Sequence, residues 1–141
     1  MDKWDERFLE LTKLVASWSK DNSTKVGAVI VDNKNRIVSL GYNGLPRGIN
    51  REEFFTASRT KKLRSFIHAE ENAILFARGN TEGHSIYIWP FLSCAKCSSL
   101  IIQAGIKRIV TPDATGPERW AEEFITSKEL LKEAGVAVLA V

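Results

Sequence analysis

Trp4, Phe8, Leu11, Val15 and Trp18 recur at alternating steps of four and three, the spacing that aligns side chains on one face of an α-helix. Lys3, Glu6, Glu10 and Lys13 fall mostly on the other side, so the stripe predicts a core-facing helix ending near Lys20. Asp21-Asn22-Ser23 supplies turn chemistry there. Two apolar runs, Val26 to Val31 and Ile37 to Tyr42, flank Asp32-Asn33-Lys34-Asn35 and predict a β-hairpin with a short polar loop. From Gly41 to Gly48, three glycines and a proline crowd into eight residues and break regular structure. Residues 49–67 are polar and basic, which predicts a long excursion with little core of its own.

His68 to Ala77 predicts a helix closed by Arg78-Gly79-Asn80, and Ser85 to Trp89 a short strand. Residues 94–104 form a second apolar helix that stops at Gly105, and Ile106 to Thr111 follows as a strand. After a loop from Thr111 to Pro117, residues 118–134 give the last helix. Gly135 ends it, and Val136 to Val141 is the final strand. The order α-β-β-α-β-α-β-α-β, a hairpin followed by two β-α-β crossovers, implies an α/β fold: a five-stranded mixed sheet with helices covering its faces. With no internal repeat, linker or low-complexity tract, residues 1–141 are expected to form one domain.

A hydrophobic content of 44% and a charged content of 26% exclude wholesale disorder. Twenty basic residues against 17 acidic ones leave a net charge of +3, too weak for an electrostatically driven nucleic-acid binder. No apolar run is long enough to cross a bilayer, and the amino end is too charged for a secretory signal, so the expected location is the cytoplasm. Both cysteines, Cys94 and Cys97, fall in a single C-x-x-C. In a reducing compartment that motif points to metal or redox chemistry rather than a structural staple.

His68, Cys94 and Cys97 are the residues best suited to hold zinc; the only other histidine is His84. Three protein ligands leave one tetrahedral position for water, the arrangement of a catalytic zinc. Zinc lowers the pKa of that water to about 7. Cys94 and Cys97 sit at a predicted helix start, where free N–H groups favour thiolate over thiol, and His68 opens the other helix. Two helix starts can therefore meet at one edge of the sheet. Glu70, two residues after His68, points differently from it on the first helical turn and is free to shuttle a proton. H-x-E followed by P-C-x-x-C is the signature of zinc nucleobase deaminases, and here Ser93 stands in the proline position. H-x-E alone arises often by chance, and C-x-x-C alone also fits a redox pair. Their order and joint placement at helix starts favour zinc deaminase chemistry.

With these residues, the chain resembles the cytidine deaminase superfamily, and within it the deoxycytidylate (dCMP) deaminases, over nearly its whole length. The stretches that carry the resemblance are Ser23 to Val31, Gly41 to Gly48 (G-Y-N-G-x-P-R-G), His68 to Ile74, and Cys94 to Cys97 leading into Ile101 to Ile106. The resemblance implies a three-layer α-β-α fold and the hydrolysis of dCMP to dUMP, which feeds thymidylate synthesis. Hydroxide generated at one zinc per chain would attack carbon 4 of the cytosine, with Glu70 moving the protons. The family pattern also implies that Asn43 bonds the sugar, that Val26 packs on the base, and that the backbone beside His68-Ala69 reads the pyrimidine edge. Ser93 would sit beside the leaving amino group. For the 5′-phosphate, Lys20 and the Ser19–Ser23 turn are the candidates; Lys20 reads equally well as a solvated helix end.

Members of the family often form homohexamers activated by dCTP with Mg2+ and inhibited by dTTP. By resemblance, Asn22, Lys25, Gly44 and Arg47 are candidates for that regulatory site, where glycines permit close approach and cations neutralise a triphosphate. The run Arg59-Thr60-Lys61-Lys62-Leu63-Arg64 reads as a solvated face. Residues 49–67 hold no cysteine or histidine, so the second, structural zinc of some relatives is not expected. Three rival readings remain open: a deaminase of the same fold acting on dCTP or tRNA adenosine, a non-catalytic zinc-containing nucleotide-binding module, and a thiol–disulfide oxidoreductase.

Overall fold

The structure is a computed structural model, and residues 2–49 and 59–141 are described. Part of the expected excursion, residues 50–58, lies outside the described residues. Helix α1 (Lys3–Ala16) opens with Asp2 as N-cap, whose carboxylate accepts the Asp5 N–H at 2.8 Å. Strands β1 (Gly27–Val31) and β2 (Ile37–Tyr42) form the hairpin. Helices α2 (Arg59–Ser65) and α3 (Ala69–Phe76) precede β3 (Ser85–Trp89), and α4 (Ala95–Gln103) precedes β4 (Arg108–Thr111). A 3-10 turn (Glu118–Trp120) leads into α5 (Ala121–Ala134), and β5 (Ala137–Ala140) ends the fold.

The strands lie in the order β2-β1-β3-β4-β5. β2, β1 and β3 pair antiparallel, whereas β3, β4 and β5 pair parallel, as the hairpin and the two crossovers require. Successive side chains of a strand face opposite sides, and β1, buried throughout, divides its residues between two cores. Val29 and Val31 pack with Phe8, Leu9 and Val15 of α1. Ala28 and Ile30 pack on the other face with Ala69 and Ala73 of α3, Ile101 of α4 and Leu131 of α5. This is the α-β-α sandwich. No helix among the described residues is long and apolar enough to cross a membrane.

Four expectations are corrected. Helix α1 ends at Ala16, not near Lys20, because Trp18 and Ser19 donate to carbonyls only three residues back. The Ser19 hydroxyl then bonds the Asn43 carbonyl at 2.8 Å and draws the chain toward the hairpin. The buried face of α1 is also rotated. Asp5, Phe8, Leu9, Thr12, Val15 and Ala16 point inward, while Trp4 and Trp18 are 37% and 48% exposed. The cause is Asp5, which an apolar pattern assigns to solvent but which is held inside by Arg108 and Tyr87. Third, α2 is a helix within the supposed excursion; none of its residues is buried, so no apolar period announces it. Fourth, β4 and β5 start later than expected, and the last helix begins as a 3-10 turn.

Candidate active site

Helices α3 and α4 begin side by side, and the residue at each start carries the chemistry. His68 is the N-cap of α3, in extended conformation, and its backbone N–H donates to the Glu71 carboxylate at 2.8 Å. Cys94 is the N-cap of α4, and its sulfur accepts the Cys97 N–H at 3.4 Å. The next amide, Ala95 N–H, is capped by Glu123 from α5 at 2.9 Å, an acidic group suited to a helix N-terminus.

The three side chains converge. His68 Nδ1 lies 3.2 Å from Cys97 Sγ and 3.6 Å from Cys94 Sγ, and all three donor atoms fall within 4.8 Å of one another. A tetrahedral zinc with bonds of about 2.3 Å to sulfur and about 2.0 Å to nitrogen keeps such ligands roughly 3.5–3.8 Å apart. The donor set therefore fits zinc, and among the described residues it is the one His/Cys/Asp/Glu group that could hold a metal. The Cys94 thiol is held down at about 4, chiefly by a hydrogen bond from the Cys97 thiol, with His68 adding to it. The Cys97 thiol is pushed up by the same sharing and by burial. His68 is raised to about 9, first by its bond to Cys94.

Glu70 stands outside the three-ligand group and lines the adjoining cavity. Only 4% of it is exposed, and burial raises its carboxyl to about 7 against the opposing pull of His68. A carboxyl poised there can take a proton and return it near neutral pH.

The cavity beside this group encloses about 220 Å³. Of the substrate-site candidates, Ser23, Val26, Asn43 and Ala69 line it. Asn43 spends its amide on the protein. Its Oδ1 accepts the Val26 N–H at 2.9 Å, and its Nδ2 donates to the Thr24 carbonyl at 2.9 Å and to Asp21 at 3.2 Å. Lys20 is exposed and lies outside the lining. Ser93 is fully buried outside the lining, its hydroxyl bonded to that of Ser98, and its carbonyl accepts from Ser127 at 2.9 Å.

The regulatory candidates separate. Gly44 and Arg47 line a second cavity with Pro46, Ile67 and Phe76, next to a backbone bridge between Gly44 and Ile67. Asn22 and Lys25 are exposed and line neither cavity.

The sequence reading missed the cationic and aromatic mouth of the first cavity. Arg59 and Lys62 of α2, together with Arg119 and Trp120 of the 3-10 turn, line it. Lys62 is no solvated lysine, since its ammonium sits 2.6 Å from the buried Asp21 carboxylate and its side chain is only 17% exposed. Its nearness in sequence to His68 was the available signal, and charge alone did not reveal the pairing.

The family model described as the cytidine and deoxycytidylate deaminase zinc-binding region matches residues 2–112, and the chain belongs to that family. Its relatives narrow the branch. A deaminase of Aliivibrio fischeri, from the luxG 3′ region, is 44% identical over 140 residues, which is 98% of this chain and 93% of that one. The deoxycytidylate deaminase of Mus musculus is 38% identical over 141 residues, covering 95% of this chain and 77% of that one. The dCMP deaminase of the cyanophage S-TIM5, solved with dCMP and dUMP, aligns at a TM-score of 0.77 and 26% identity over 100% of this chain and 99% of its own.

Proposed function

We propose that the protein is a zinc-dependent deoxycytidylate deaminase that converts dCMP and water to dUMP and ammonia, supplying dUMP for thymidylate synthesis. The observation that carries this is a buried carboxyl, Glu70, that shares with His68 and Cys94 the lining of a cavity of about 220 Å³. When bound by His68, Cys94 and Cys97, zinc supplies a water acidified to near neutrality as the nucleophile. Glu70 would take one proton from the attacking water and hand it to the ring nitrogen, then take the second proton from the new C4 hydroxyl and pass it to the amino group, which leaves as ammonia. Burial raises the Glu70 carboxyl above the ordinary carboxylate range, which suits a group that both takes and returns a proton. Val26, Ala69, Asn43 and Ser23 all line the cavity, and in this reading the first two would flank the base and the last two the sugar. Lys20 and Ser93 do not line the cavity, and this reading assigns them no contact with the substrate.

Two further expectations belong to this reading. Assembly as a homohexamer and control by dCTP with Mg2+ and by dTTP extend this reading through the family resemblance, and the second cavity, lined by Gly44 and Arg47, is where an effector would be sought. The cytoplasm is the expected location, where dCMP is available.

Zinc-loaded protein incubated with dCMP, dCTP, cytidine and an adenosine tRNA stem-loop tests the reading by release of ammonia and deaminated base. Turnover of dCMP, with little of cytidine, is expected; faster release from dCTP or from the stem-loop would overturn it. Repeating the dCMP saturation curve with dCTP or dTTP tests the control, and an unchanged curve in both would remove it.

A further inference from the structure

Three serines and a glutamate that stay out of the cavity converge on the turn that carries Cys94. Ser93, Ser98 and Ser127 are fully buried, and neither they nor Glu123 line the cavity. The Ser93 and Ser98 hydroxyls lie 2.8 Å apart, and the Ser93 carbonyl accepts from Ser127 at 2.9 Å and from Ser98 at 3.3 Å. One arrangement of protons accounts for these contacts: Ser93 donates to Ser98, while Ser98 and Ser127 both donate to the Ser93 carbonyl. The Ser127 hydroxyl also lies 3.1 Å from the Glu123 carbonyl, the longer of its two contacts. On the other side of Cys94, the Ala95 N–H donates to the Glu123 carboxylate at 2.9 Å. Glu123 and Ser127 stand one turn apart on α5, so a single helix face grips the backbone immediately before and immediately after Cys94.

The signature of zinc nucleobase deaminases carries proline before the first cysteine, where this chain carries Ser93. A proline ring locks its own φ, whereas serine leaves that dihedral free. Packing alone does not call for hydroxyls here, because a buried hydroxyl is costly unless it is bonded. We propose that Ser98 and Ser127 restore, through hydrogen bonds to Ser93, the rigidity that a proline ring would supply, and that with Glu123 they hold Cys94 where it binds zinc. The inference rests on the zinc site of the reading above and not on its substrate. Ser93, Ser98, Ser127 and Glu123 act through Cys94 and are positioning residues. Outer partners of this kind change metal affinity by about tenfold or more when they are removed.

The test titrates zinc-loaded protein with a chromophoric chelator, without nucleotide, at a temperature well below the melting point of every variant. Ser127→Ala and Glu123→Ala should each weaken zinc binding about tenfold, and Glu123→Gln, which keeps an acceptor oxygen, should restore most of it. Ser98→Ala should weaken zinc binding about tenfold in the wild-type chain and leave it unchanged in Ser93→Pro, where the ring replaces the hydroxyl pair. Cobalt-substituted protein gives a second readout. Its visible absorption should shift in Glu123→Ala and return to the wild-type form in Glu123→Gln. If Ser93→Pro does not fold, Ser127→Ala and the two Glu123 variants carry the test. Unchanged zinc affinity in Ser127→Ala and Glu123→Ala, with only the melting temperature lowered, would overturn the assignment, because the contacts would then serve the fold alone. Equal losses from Ser98→Ala in both backgrounds would overturn the exchange of ring for hydroxyls. Protein that behaves as expected toward zinc yet leaves dCMP untouched would sink the deaminase reading and leave this one standing.

Discussion

Arg108 on β4 grips the carboxylate of Asp5 on α1 with two parallel hydrogen bonds, of 2.9 and 2.6 Å, across the layer that separates helix from sheet. The Tyr87 hydroxyl of β3 donates to the same carboxylate at 2.6 Å. Asp5 is nearly sealed from solvent, and the Arg108 side chain keeps 31% exposure. Removing one partner of such a pair strands a buried charge, at a cost of about 3–5 kcal/mol when both partners are fully buried. Arg108→Ala is expected to lower stability by about 3 kcal/mol, near the bottom of that range because water reaches the guanidinium. Urea unfolding checks it; a loss under about 1 kcal/mol would show that the pair contributes little.

The same pair sets an acid dependence. Hydrogen bonds from Arg108, against the penalty of burial, hold the Asp5 carboxyl below its usual value. A depressed carboxyl stabilises the fold above the unfolded pKa of about 3.9, and that stability is lost as pH falls through the folded value. Wild-type stability should therefore drop steeply below about pH 4, and Asp5→Asn should show a shallower slope there in urea melts at stepped pH.

Gly41 on β2 lies under α3. An added Cβ would stand 2.6 Å from the Ala73 nitrogen and 2.7 Å from the Ala69 carbonyl oxygen, both rigid backbone. Gly41→Ala must push α3 off the sheet, and α3 carries Glu70 and starts at His68. Loss of about 3 kcal/mol is expected, together with weaker zinc retention. Gly44→Ala, with open space around its Cβ position, is the control and should change stability by less than about 0.5 kcal/mol. Thermal melts and zinc content of the two variants decide the point.

Asn43 organises the loop that forms one wall of the cavity. Asn43→Ala leaves the Val26 N–H without its acceptor and Asp21 without one of its donors. A stability loss of about 2 kcal/mol is expected, with KM for dCMP rising more than kcat falls, because the wall shifts while Glu70 stays in place. Steady-state kinetics on dCMP separate the two parameters.

Much of this was legible in the residues. Strands Ile37–Tyr42 and Ser85–Trp89 fall where the apolar runs put them, the second with its middle buried in the sheet and the first along its edge. The convergence of His68 with Cys94 and Cys97 followed from two helix starts at one edge of the sheet. What escaped depends on pairings far apart in sequence. Asp5 looked solvated until Arg108 was brought to it, and its burial turned α1 away from the Trp4–Trp18 stripe. Lys62 looked equally ordinary until the fold set it against Asp21. Helix α2 has no buried face, so hydrophobic period could not mark it.

In the proposed reaction Glu70 moves protons beside a zinc held by His68, Cys94 and Cys97. The most direct measurement of that claim pairs zinc content with dCMP turnover for wild type and Glu70→Gln. About one zinc per chain in both is expected, with turnover reduced by roughly 10²–10⁴-fold in the variant. Glu70→Gln that keeps near-wild-type turnover, or that loses its zinc, would contradict the account.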